Sequence, residues 1–177
     1  MSLQYLIRRR AMLTLMIFFL GVPTAAFGGL IKAGVRKAAP DFLLHDSKGA
    51  TVKLSQYKGK VVLLDFWATY CGVCKREIPW FTQFEKTYAS SGFSAIGVAM
   101  DKDWKSVRPF MAEEKMNYPV VLGSPELLGR FGGPAQVLPV TYLIDRDGRI
   151  ADQHIGLVNR EEFEGAIKNL LAQEGSE

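Results

Sequence analysis

The chain is poor in the residues that build metal centres. Its 177 residues include two cysteines and two histidines. A zinc site typically takes about four ligands, and His45 and His154 match no ligand spacing with the cysteines. A dedicated zinc centre is therefore disfavoured, while a copper(I) carrier, which needs fewer ligands, stays open. A single close cysteine pair also excludes the multi-disulfide scaffold of small secreted domains. Acidic residues are missing from the first 40 positions. No stripe of Lys and Arg interleaves with aromatics, so nucleic-acid binding is unsupported. Internal repeats and low-complexity tracts are absent.

What is present begins with Arg8-Arg9-Arg10 and an uncharged stretch from Ala11 to Ile31. A basic start followed by an apolar core reads as an export signal, with Thr24-Ala25-Ala26 offering small residues for cleavage. The same stretch approaches the length of a bilayer span, although Pro23 and the glycines weaken that reading. Residues 1–31 are thus a cleaved signal or a retained anchor through residues 11–31, and either fate carries the rest outside the cytoplasm. The formal charge of +4 falls to +1 once the three arginines of residues 1–26 are set aside, leaving 19 basic against 18 acidic residues. The basic pI is partly a property of the leader. Residues 32–38 read as a linker, and 39–174 as one domain with one core.

Cys71-Gly72-Val73-Cys74 is the chemical centre of the sequence. It follows the apolar run Val61 to Leu64 within a segment to Trp67 that reads as a buried strand, and precedes a helix expected from about Cys74 to Ser90. Two thiols three positions apart at a helix start can close into a disulfide and exchange two electrons with another dithiol. The thiolate is the attacking species, and unpaired N–H groups at a helix N-terminus lower a cysteine pKa. This makes Cys71 the expected nucleophile and Cys74 the resolving thiol. An inert brace is the rival reading, but so small a ring removes little entropy from the unfolded chain.

The remaining pattern alternates. Phe42 to His45 and Thr51 to Leu54 flank the turn tetrad Asp46-Ser47-Lys48-Gly49. Strands are expected at Phe93–Met100, Pro119–Leu122, Val140–Asp145 and Ile150–His154. Helices are expected at Trp104–Lys115, Glu126–Phe131 and Arg160–Ala172. The sum is an α/β fold, a mixed central sheet flanked by helices.

Asp65-Phe66-Trp67-Ala68, the Cys-x-x-Cys pair and Lys75-Arg76-Glu77-Ile78-Pro79 resemble the thioredoxin superfamily, and more narrowly the TlpA/ResA-type thiol:disulfide oxidoreductases. Val137-Leu138-Pro139-Val140-Thr141 is similar to that family's cis-proline loop, and Ala39-Pro40-Asp41-Phe42 to the opening it shares with peroxiredoxins. The resemblance runs over roughly residues 38–173. It implies a thioredoxin-like fold with an N-terminal hairpin and a helix–strand insertion between Asp101 and Leu122. It departs from most relatives at Val73, where they carry proline, and at Tyr70, where many carry tryptophan.

The resemblance also assigns roles. Asp65, on a strand beneath the motif, would have a raised pKa and relay the proton of Cys74. Pro139 would be cis and present the Leu138 backbone to an extended substrate. Trp67 and Tyr70 would form an apolar rim, with core packing an equal reading for Trp67. Glu77 reads as a solvated helix-face residue rather than a modulator of thiol acidity. The implied partners are protein disulfides, apocytochrome c among them, and a membrane thiol reductant. No cofactor beyond the cysteine pair is implied. An oxidant that introduces disulfides, a thiol peroxidase and a copper(I) carrier are the alternatives. The peroxidase reading lacks the threonine that peroxiredoxins place three positions before their cysteine.

Overall fold

The computed structural model describes residues 29–134, 136–173 and 175. The export or anchor reading of residues 1–31 falls almost wholly outside them. Among the described residues no helix is long and apolar enough to cross a membrane.

The order of elements is β1 (Leu43–His45), β2 (Thr51–Lys53), β3 (Val61–Trp67), α1 (Cys74–Tyr88), β4 (Phe93–Ala99), α2 (Trp104–Glu113), β5 (Val120–Leu122), α3 (Pro125–Arg130), β6 (Val140–Ile144), β7 (Ile150–Ile155) and α4 (Arg160–Leu171). A five-stranded sheet runs β5-β4-β3-β6-β7, and β1 and β2 form a separate hairpin. Strands β3, β4 and β5 are parallel, whereas β6 is antiparallel to β3 and β7 to β6. The α/β class, the mixed sheet, the hairpin and the helix–strand insertion are as expected.

Strand β3 is central, and every one of its residues is buried. Successive side chains of a strand face opposite ways, and the two faces meet different partners. Val61, Leu63 and Trp67 pack with Cys74, Ile78 and Phe81 of α1 and with Phe163 and Ile167 of α4. Val62, Leu64 and Phe66 pack with Leu128 of α3, Tyr142 and the hairpin residue Val52. Asp65, between Leu63 and Trp67 in phase, therefore points toward α1. A continuous apolar run suits a strand covered on both faces.

Residues 32–38, read from sequence as a linker, are held against the sheet together with Ile31 before them. Ile31 N–H donates to Ala151 O at 2.8 Å, and Ile150 N–H donates to Lys37 O at 2.8 Å. Arg36 is buried and pairs with Asp145 at 3.0 Å. A buried arginine needs such a partner, because leaving its charge alone in the interior is costly. The β6–β7 turn closes through Gly148, whose φ of 77° lies in the left-handed region that glycine enters without a Cβ clash. Beside it, the Arg146 guanidinium donates to the carbonyls of Gly59, Ser91, Leu171 and Gln173. It thus ties the C-terminal end of α4 to the loops that precede β3 and β4.

Candidate active site

The Cys71–Cys74 pair is a disulfide, with its sulfurs 2.09 Å apart. It sits where β3 ends and α1 begins. The N-cap residue of α1 is Val73, whose side chain supplies no cap, so the first N–H groups of the helix look elsewhere for acceptors. Cys74 N–H points at Cys71 Sγ, 3.2 Å away. That donor would stabilise a thiolate at Cys71 once the disulfide opens. Cys74 is fully buried, whereas Cys71 is partly exposed. Only the first sulfur can be reached from solution, and the second can act only on a bond already made to the first.

Two carboxyls are buried on the α1 side of β3. Asp65 is 1% exposed; its Oδ1 accepts from the Thr141 hydroxyl at 3.1 Å, and its Oδ2 has no hydrogen-bond partner. Burial pushes its pKa well above the carboxylate range, the charge of Glu77 pushes it further, and the Thr141 hydrogen bond opposes both. Glu77 lies one helical turn after Cys74, on the same face of α1. It is fully buried, with Oε1 accepting from Val158 N–H and Oε2 unpartnered. Burial raises its pKa to about 7, against the opposing effects of the Val158 hydrogen bond and Arg76. A carboxyl poised there can hold or release a proton at neutral pH.

The opposite wall of the site is the Leu138–Pro139 loop, where the peptide bond is cis. A cavity of about 350 Å³ opens beside Cys71, walled by Tyr70, Met100, Pro125, Leu128 and Leu138, with no charged residue in its lining. Tyr70 is 75% exposed, and Val73 and Val137 also present apolar surface to solvent. The reachable sulfur thus opens onto an uncharged cavity in which the apolar side chains are joined by the polar Tyr70 and Gln136.

The AhpC/TSA family profile matches residues 35–153. The chain belongs to the AhpC/TSA family. Within this family it is 33% identical over 141 residues to the thiol-disulfide oxidoreductase ResA of Bacillus thuringiensis, covering 78% of this chain and 80% of that one. It is 31% identical to ResA of Geobacillus kaustophilus over 171 residues, or 94% and 97% of the two chains. The crystal structure of a thiol:disulfide interchange protein of the thioredoxin family from Chlorobium tepidum superposes with a TM-score of 0.71 at 30% identity, covering 77% of this chain and 97% of that one. The chain is a thiol:disulfide oxidoreductase of ResA type, and Cys71 and Cys74 are its redox pair.

Not every expected position in this AhpC/TSA site holds its expected place. Cys71, Cys74, Asp65, Tyr70, Leu138 and Pro139 converge at one end of the sheet. Trp67 does not form a rim: it is fully buried, its ring stacked on Phe110 of α2 with centroids 5.0 Å apart, and so it cannot touch a substrate. Lys75 Nζ lies 5.3 Å from the centroid of the same Phe110 ring, which links the insertion to the start of α1. Glu77 is not solvated, because it sits on the inward stripe of α1. Sequence reasoning also missed the loop after β7. There Gly156 N–H donates to Pro139 O at 2.9 Å and Val158 N–H to Glu77, so one short segment touches both the cis-proline loop and the buried acid. Its only signal was the N-cap Asn159 that ends it.

Proposed function

We propose that this protein reduces protein disulfides outside the cytoplasm, with the haem-site cysteine pair of apocytochrome c as its substrate and a membrane thiol donor as its source of electrons. In the reduced state, the Cys71 thiolate attacks a substrate disulfide and forms a mixed disulfide, releasing one substrate thiolate. Cys74 then gives up its proton, attacks Cys71 Sγ, and releases the second substrate thiolate. Two electrons pass to the substrate, and the Cys71–Cys74 bond closes. Asp65 and Glu77 are the groups placed to take the proton of Cys74, and the donor's dithiol reopens the bond.

The observation that carries the direction is the pair of buried carboxyls on the α1 face. An oxidant gains its power from a stabilised reduced form. Two buried acids on the α1 face disfavour a thiolate at buried Cys74, which leaves the dithiol form the single donor at Cys71 Sγ as its stabilising contact. Export follows from the basic start and uncharged run, and the cytochrome substrate from the ResA resemblance. The test is trapping. A Cys74→Ala protein, expressed in its native host, should accumulate a mixed disulfide through Cys71 with a c-type apocytochrome. Capture of proteins with unrelated structural disulfides instead would refute the substrate. A reduction potential above about −150 mV would refute the direction.

A further inference from the structure

At the end of the sheet opposite Cys71, the chain enters the domain with no slack. Ile31 is the last residue of the uncharged run, and its own N–H is already bonded to Ala151 O. The short 3-10 turn that follows, Ala33–Val35, exposes Val35 at 68%, and Ile31 is 37% exposed. Cations occupy the same pole of the sheet. Lys37 pairs through its backbone with Ile150. Lys58 lies over Gly148. Lys60 begins the approach to β3, and Arg149 bridges Ala38. Lys32, Lys37, Lys58, Lys60 and Arg149 are all exposed.

Among these cations Arg149 Nη1 donates to Arg36 O at 3.3 Å and Lys60 Nζ lies 5.9 Å from the Tyr57 ring centroid, and the other charges of this pole are largely committed internally. Arg36 is paired with Asp145, and the donors of Arg146 go to backbone carbonyls. Asp147 and Asp41, which share a cavity with Lys58, are acids interleaved with the exposed cations, and Asp41 also faces Lys53 at 3.9 Å. Like charges gathered on one face repel each other, and a facing anionic surface removes that penalty. Exposed aliphatic side chains on one face with lysines are also the composition that binds a headgroup layer, the chains entering the boundary and the ammonium groups meeting phosphates.

We propose that the pole formed by Lys32, Val35, Lys37, Lys58, Lys60 and Arg149 seats on anionic phospholipid headgroups and turns Cys71 away from the bilayer. The occupant follows from where the chain comes from: the residues immediately before this surface are the uncharged run. The reactive sulfur lies beyond the far end of β3, whose seven residues span about 20 Å. The surface goes beyond the redox reading and does not depend on it.

The test places a benzophenone side chain at one position at a time in the full chain, reconstituted in nanodiscs of phosphatidylcholine alone or with phosphatidylglycerol. Positions 58 and 149 lie far in sequence from the uncharged run, so lipid adducts there report the orientation of the face rather than the tether. Adducts at both should rise at least about threefold with the anionic lipid, as expected for cations at a charged surface, while position 70 stays at background. The exposed triple variant Lys32→Glu, Lys37→Glu, Lys60→Glu should return adducts to the phosphatidylcholine level. Equal adducts in both lipids, no effect of the triple variant, or adducts at position 70 matching those at 58 would each overturn the proposal.

Discussion

Replacing Asp65 by Asn separates the burial of this carboxyl from its chemistry. Asparagine keeps an oxygen for the Thr141 hydroxyl and presents an amide where Oδ2 now lacks a partner. The change removes a titration without changing shape. The pKa of Asp65 is raised in the folded protein, so the fold retains a proton that the unfolded chain releases from about pH 3.9 upward. Its stability contribution is fully present below that pH and is lost as pH rises toward the folded value. Over that window each pH unit costs about 1.4 kcal/mol, or about 4–6 °C in Tm for a domain of this size. The Asn variant should therefore match the parent near pH 3.5 and become more stable than it as pH rises through 4.5, 5.5 and 6.5. Thermal unfolding of the oxidised proteins at those pH values reads this directly. Reduction of insulin at neutral pH should meanwhile slow by about 100-fold, the lower range for losing a positioned proton acceptor. Stability curves that run parallel from pH 3.5 to 6.5 would show that Asp65 ionises like an exposed acid. An unchanged reduction rate would remove its part in proton transfer.

Glu77, with its pKa near 7, gives a second titration. The rate at which Cys74 resolves a mixed disulfide should show a step centred near pH 7 that Glu77→Gln abolishes, and a step surviving in the variant would assign it elsewhere. At Gly97 a Cβ would fall 2.9 Å from Trp67 Nε1 and 3.2 Å from Val120 Cγ2. Gly97→Ala should therefore cost about 1–3 kcal/mol as overpacking. An unchanged urea midpoint would mean that Trp67 and β5 shift freely.

The framework was legible because its strongest elements obey simple periods. The buried strand Val61–Trp67 is an apolar run broken only at Asp65 and bounded by Gly59-Lys60 and the Ala68-Thr69 turn, and its ends fall where the pattern stops. Helix α4 is legible for the same reason, since Phe163, Ile167 and Leu170 all face inward. The segment 32–38 was not legible. Its lysines, glycine and alanines look like a connector, and the contact that orders it is Arg36 with Asp145, 109 positions away. No local pattern carries a pairing of that kind. Trp67 stood open between rim and core for a related reason: which face of a doubly covered strand meets a ring depends on Phe110, from an insertion whose packing the run itself does not encode.

Glu77 is the more instructive miss, because its signal was present. Cys74, Ile78 and Phe81 mark the inward stripe of α1, and position 77, three after Cys74 and four before Phe81, lies on it. Residue type argued for solvent, phase argued for burial, and phase was right. The disagreement is itself informative: an acid that a helix turns into the core, with one oxygen held by a backbone N–H and the other left without a partner, costs stability whenever it ionises. Asp65 shows the same conflict on β3, a charged type within an apolar run. Two such violations on neighbouring elements, each buried and the charge of Glu77 acting on Asp65, are hard to attribute to packing, since any apolar residue of similar size would stabilise the core more. They support the proton-acceptor role proposed for the two carboxyls. The thiol being fully buried, its proton has to pass to a group inside the fold before the sulfur can attack.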